Sequence, residues 1–172
     1  TVYMNEARRS FNSFDAALGG AGNLELLYNI VCGFAGRSSG SNVKALETGV
    51  SFGFSSLAML GAVEGSQQAI ELTSIDLGIY NSSNYLGCAV NDNLLINGNV
   101  SWNLLKGSDR KHISILAKQS KVFDIIHYDS DKSFEGKFWA LPLLYKMLEP
   151  GGILVCDDIG DNLAFFAFCD AY

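Results

Sequence analysis

Acidic residues close the apolar runs of this chain. Glu47 ends the run that starts at Val43, Asp76 ends ELTSID, Asp129 and Asp131 follow FDIIHY, and Asp157 and Asp158 follow ILVC. A carboxylate at a strand end can accept hydrogen bonds from two ligand hydroxyls at once, or join others around a hard cation. Directly after Glu47 comes a turn with glycines at Gly49 and Gly53 and Ser51 between them. Glycines let a ligand approach the main chain closely. A helix that starts at such a turn aims its free N–H groups and the positive end of its dipole at one point. The pattern is not G-x-G-x-x-G, because Ser51 stands where the middle glycine of a nicotinamide site would be. Asp76 lies about 20 residues beyond the glycines, the separation at which an acid on the next strand reaches a ribose diol.

Bringing these acids to one edge requires parallel strands joined by helices, and the periodicity supplies them. Apolar residues recur at Leu24, Leu27, Val31 and Phe34, the spacing of a helix over 22–35. A Ser/Gly loop leads into the strand that ends at Glu47, and 54–62 reads as the first crossover helix. Strands are predicted over 71–77 and 100–105, with a helix over 81–98 and an Asn97-Gly98 turn between them. Ser108 or Asp109 caps a helix running to about Gln119. FDIIHY is nearly all apolar, as a strand covered on both faces must be. The helix after Phe134 contains Pro142, which is expected to kink or break it. The Glu149-Pro150-Gly151-Gly152 turn then leads to ILVC, and a last helix spans 162–172. Such alternation demands parallel pairing and right-handed crossovers. The expected fold class is therefore α/β, a doubly wound, mostly parallel, Rossmann-like sheet with helices on both faces. A single domain is expected over 1–172, with a helical cover over 1–40 and the core over 41–172.

Composition narrows the function classes. A hydrophobic content of 48% over 172 residues describes a globular domain that can fill a core without disulfide or metal staples. The net charge of −6 argues against nucleic acid or an anionic membrane as the main partner. Cys32, Cys88, Cys156 and Cys169 form no C-x-x-C pair and stand in apolar surroundings, so they read as small buried hydrophobes of a reducing compartment. With neither a signal peptide nor a membrane-length apolar run, a cytoplasmic protein is expected.

The stretch VKALETGVSFGFSSLAML resembles the first motif of class I S-adenosylmethionine-dependent methyltransferases, in the E-x-G-x-x-x-G-[FY]-S form of the catechol and caffeoyl-CoA O-methyltransferases. The segment from Phe123 to Asp158, with its strand, acidic end, helix, L-x-P-G-G turn and second strand, resembles the fourth and fifth strands of the same superfamily. The match is closest where the fourth-strand motif reads roughly D-G-D-H-S-[YF]-E-G. The resemblance covers about 22–158. It implies S-adenosylmethionine as cofactor, with Glu47, Gly49, Ser51, Gly53, Asp76, Ser108 and Asp129 as the residues that bind it. Ser108 enters because, in that family, the turn after the third strand lies beside the adenine ring.

The expected activity is methyl transfer to an oxygen of a small-molecule acceptor, with Asp129, Asp131 and Lys132 nearest the transferred group. Where many relatives carry histidine this chain has Lys132, so the usual base does not carry over. Lys132 could hold a substrate oxyanion, act as a base if its pKa is strongly lowered, or point into water. His127, inside a strand, reads as a packed core histidine rather than a replacement base. Clustered carboxylates repel unless a cation compensates them, and oxygen ligands suit Mg²⁺ or Ca²⁺. Matched by position to the metal-dependent members, the ligands would be Asp129, Asp157 and Asp158. Two other classes remain: a cofactor-binding but non-catalytic relative, and a nucleotide- or NAD-binding oxidoreductase. The resemblance also implies two further strands, the last antiparallel. The polypeptide is therefore expected to continue beyond Tyr172, or another chain, such as a homo-oligomer partner, to cover the open edge.

Overall fold

The computed structural model describes residues 23–37, 42–78, 86–96 and 98–172. Most of the expected N-terminal cover and part of the helix expected over 81–98 lie outside them. Helix α1 (Leu24–Arg37) precedes five strands: β1 (Val43–Thr48), β2 (Ile70–Asp76), β3 (Val100–Lys106), β4 (Phe123–Tyr128) and β5 (Leu148–Cys156). Between and after them come α2 (Phe54–Gly61), α3 (Asp92–Ile96), α4 (Asp109–Lys118), α5 (Phe134–Lys146) and α6 (Ala164–Ala171). The strands form one parallel sheet in the order β3-β2-β1-β4-β5. The order reverses between β1 and β4, so the chains leaving these two strands diverge to opposite sides. That divergence opens a crevice at the carboxyl edge, where α/β proteins bind ligands.

Side-chain alternation along each strand divides the core into two layers. Val43, Ala45, Ile70, Leu72 and Ile125 pack against α1, α2 and α3. Leu46, Ile75, Ile126 and Tyr128 pack against α4, α5 and α6. Ala45, Leu46, Ile125 and Ile126 are all fully buried, so the central strands are covered on both faces as FDIIHY predicts. Each large apolar side chain buried in this way stabilises the fold by about 1.5–3 kcal/mol.

Three local expectations are corrected. The helix expected over 81–98 is reduced, among the described residues, to α3, preceded by turns at 86–89. Gly87 has φ +71°, and a Cβ there would lie 2.4 Å from the Trp102 ring, so the chain adopts a tight left-handed approach in place of a helical turn. Helix α5 runs unbroken through Pro142. The Glu149-Pro150-Gly151-Gly152 segment is a bulge inside β5: Phe123 pairs with Leu148 and Ile125 with Ile153, and Gly151 takes φ +83°. The cysteines are free, as expected, but Cys88 and Cys169 are exposed. Cys156 is half-buried, and burial pushes its thiol up to about 11. Among the described residues no helix is long and apolar enough to cross a membrane.

Candidate functional site

The exits of β1, β2 and β4 are tied together by main-chain bonds. Asp129 N donates to Thr48 O at 2.9 Å, and Gly49 N donates to Ile75 O at 2.9 Å. Gly49 has φ +81°, and a Cβ on it would stand 2.2 Å from Asp129 O, so this crossing admits only glycine. Ser51 takes a left-handed φ of +51°. Asp76, the last residue of β2, accepts from Val50 N at 2.9 Å and Ser51 N at 3.0 Å through Oδ2, and from Gly78 N at 2.7 Å through Oδ1. Its carboxylate thus holds the glycine turn in shape. Gly53, at φ +89°, has Gly87 Cα where a Cβ would come within 2.9 Å, so it serves close packing of the turn on the Gly87 segment.

Glu47 is fully buried and lies behind the crevice. Ser55 and Ser56 from the first turn of α2 donate to its two oxygens, and Ser74 Oγ donates to Oε2 at 2.8 Å. Beside it on β4 stands His127, its register partner, with Nδ1 3.6 Å from Glu47 Oε1. That exceeds hydrogen-bonding distance, and neither ring nitrogen of His127 has a partner. His127 is 2% exposed yet borders the crevice.

The opposite wall is acidic. The Lys132 ammonium pairs with Asp129 Oδ1 and, at 2.6 Å, with Asp158 Oδ2. Hydrogen bonding to that ammonium holds the Asp158 carboxyl below the usual carboxylate range, with burial opposing it. Asp157 Oδ1 accepts from Asn23 Nδ2 at 3.1 Å and from Asp158 N at 2.8 Å. The fully buried Lys137 of α5 donates to the main-chain oxygen of Asp158, fixing the turn after β5. Asp131 Oδ1 accepts from Ser133 N at 3.0 Å, and its main-chain oxygen accepts from the Tyr128 hydroxyl at 2.8 Å. Ser130 Oγ donates to Asp109 Oδ2 at 2.8 Å, drawing the start of α4 to the end of β4.

The Gly49 turn, His127 and the acidic ends of the strands line a cavity of about 810 Å³, within the size range of small-molecule sites. Among the described residues its lining holds Asp76, Asp109, Asp129, Asp131, Asp157 and Asp158 against one ammonium, that of Lys132. The imbalance favours a cation and disfavours a phosphate chain.

Residues 46–159 match the profile of a family described as a methyltransferase domain. The chain belongs to this family. No curated protein sequence matches it. Solved structures share the fold at low identity. A SAM-dependent methyltransferase from Agrobacterium tumefaciens is 19% identical with a TM-score of 0.57, covering 78% of this chain and 42% of its own. The SAH-bound Podospora anserina methyltransferase PaMTH1 is 16% identical with a TM-score of 0.63, covering 91% of this chain and 62% of its own. A provisionally assigned caffeoyl-CoA O-methyltransferase from Staphylococcus aureus is 15% identical with a TM-score of 0.62, covering 94% and 71%. The chain thus spans less than two thirds of the length of the first two.

Within this methyltransferase domain, Gly49, Ser51, Asp76, Asp129, Asp131, Lys132, Asp157 and Asp158 all border the cavity. Glu47, Gly53 and Ser108 do not. Glu47 is spent on three serine hydroxyls, Gly53 on packing, and Ser108 on capping α4, where its side chain accepts from Lys111 N at 3.2 Å. Sequence reasoning missed Asn23 as a lining residue, considered Asp109 as a helix cap or a contact to the adenine edge, and took His127 for a core residue before a replacement base. For His127 the signal lies in spacing: it stands two residues before Asp129, opposite Glu47, at the end of the central strand.

Proposed function

We propose that this domain transfers the methyl group of S-adenosylmethionine to an oxygen of a small-molecule acceptor. The observation that carries the reading is the acidic cavity floored by the Gly49 turn. When bound, the cofactor supplies an electrophilic methyl on a positively charged sulfonium. Its cation suits a lining of carboxylates, whereas the pyrophosphate of NAD would be repelled by the same wall. The Gly49 turn borders the cavity, and Ser51 and Asp76 stand at the same end for the nucleoside. Asp76 uses three acceptor positions on main-chain N–H groups, and a carboxylate offers about four, so one remains for a ribose hydroxyl.

Asp129, Asp131 and Lys132 border the cavity at the end of β4. There Lys132 enters as part of an ion pair with Asp129 and Asp158. The pair fixes a positive charge where an acceptor oxygen would carry developing negative charge, and it positions Asp129 beside that oxygen. The oxygen acceptor is supported by the resemblance of the glycine turn to O-methyltransferases and by the Staphylococcus aureus structure. Incubation with methyl-labelled S-adenosylmethionine and separate pools of phenols, carboxylic acids and amines tests it. Label is expected on a hydroxylated compound. Label only on amines would overturn the oxygen assignment, and binding without transfer to any pool would favour the non-catalytic relative.

A further inference from the structure

One buried ring on the cavity wall has no partner. His127 is 2% exposed and borders the cavity, and neither ring nitrogen has a hydrogen-bond partner among the described residues. Buried polar atoms are nearly always satisfied, so an orphaned imidazole at a cavity marks the place of a ligand group. One ring nitrogen of His127 and one carboxylate oxygen each of Asp129 and Asp157 lie within 4.8 Å of one another. Ionised carboxylates only accept hydrogen bonds, and a neutral imidazole keeps one accepting nitrogen. A primary ammonium complements such a set, because it offers three N–H donors and the opposite charge. Acceptors about 2.9 Å from a tetrahedral nitrogen stand about 4.7 Å apart, the scale of this cluster. We propose that His127, Asp129 and Asp157 hold a protonated amine of the acceptor, which makes the substrate class hydroxylated primary amines.

The inference deepens the methyl-transfer reading and rests on it. Position separates this amine from the cofactor's own. Asp76 and the Gly49 turn lie at the exits of β2 and β1, whereas Asp157 follows β5, on the far side of β4. Lys132, beside which the acceptor oxygen is placed, pairs with Asp129, so the hydroxyl and the amine meet the same end of β4. Asp158 is not in the set, because its Oδ2 meets Lys132 at 2.6 Å. Among the described residues Asp157 takes its hydrogen bonds through Oδ1, which leaves Oδ2 for the ligand. Glu47 Oε1 stands 3.6 Å from His127 Nδ1 and favours the tautomer protonated there, with Nε2 as the acceptor. Charge agrees with this class. S-adenosylmethionine brings a single net positive charge, and with Lys132 it leaves most of the lining carboxylates uncompensated.

The test uses protein freed of metal with EDTA and titrated by calorimetry, alone and saturated with S-adenosylhomocysteine. The probes are tyramine, para-propylphenol and para-hydroxyphenylpropanoate, which share a phenol and end in an ammonium, a methyl and a carboxylate. Aminopropanol, butanol and hydroxybutanoate repeat the comparison on an aliphatic chain. In at least one series the amine is expected to bind the S-adenosylhomocysteine complex at least about tenfold tighter than its methyl counterpart, with the carboxylate weakest. His127→Phe is expected to remove most of that preference, and should it not fold, Asp157→Asn is expected to do the same. Absence of S-adenosylhomocysteine binding by the folded protein would overturn the methyl-transfer reading and the amine site with it. Binding of S-adenosylhomocysteine without preference for either amine would overturn the amine site alone. So would an amine that binds only in the absence of S-adenosylhomocysteine, which would give the place to the cofactor's ammonium. A preference that appears only on addition of Mg²⁺ would also overturn it, by giving the carboxylates to an ion.

Discussion

Gly49 carries the tightest constraint in the site. A side chain there meets both a left-handed φ of +81° and the Asp129 carbonyl, whereas Gly33, inside α1, has nothing within 4 Å of an added Cβ. Gly49→Ala is therefore expected to lower stability by at least about 1–3 kcal/mol, the cost of the backbone conformation alone. Gly33→Ala, in contrast, should be neutral or stabilising by about 0.5–1 kcal/mol. Urea denaturation of both variants checks this, and equal midpoints would refute the crossing. Glu47 shows why chemistry at this scale was only partly legible. Its residue type and its place before Gly49 suggested a ligand contact. But β1 continues to Thr48, so Glu47 is still inside a strand and points to a sheet face, under α2. Asp76 is the last residue of its strand, and Asp129 and Asp157 follow theirs, so they reach the edge. One residue of strand length separates a structural acid from a cavity acid, and sequence patterns do not resolve strand ends that finely.

At the scale of elements, helix starts deliver site residues, and their caps can be mistaken for ligand contacts. Ser108 accepts from Lys111 N as the N-cap of α4, while the next residue, Asp109, borders the cavity. Ser108→Ala is expected to cost about 1 kcal/mol of stability and to leave S-adenosylhomocysteine affinity unchanged. Thermal melts and calorimetry on one preparation separate the two roles, and weakened binding at unchanged stability would return Ser108 to the cofactor set. The strands and most crossover helices were legible because periods of 2 and 3.6 residues are strong over these lengths. The segment before α3 was not, because its conformation follows from a tertiary contact, Gly87 against Trp102 and Gly53. The bulge in β5 was hidden for a similar reason. Proline and two glycines read as a turn between elements, and only pairing with β4 draws them into the strand.

Across the whole molecule, the sheet order turns separate sequence features into one site. The reversal between β1 and β4 brings the Gly49 turn against Asp129, and the next strand outward adds Asp157 and Asp158. Function class was legible because the glycine turn after β1 and the segment from β4 to the end of β5 both resemble methyltransferase motifs, in the right order along the chain. The unpartnered ring of His127 was not legible, since it depends on lateral pairing of β4 with β1. The central claim is that this acidic cavity takes the S-adenosyl nucleoside of methyl transfer and rejects a dinucleotide. Calorimetric titration of S-adenosylhomocysteine and of NADH into the same folded protein tests it most directly. The account predicts saturable one-to-one binding of S-adenosylhomocysteine and no binding heat from NADH. Binding of NADH with comparable affinity, or no binding of S-adenosylhomocysteine by the folded chain, would contradict it.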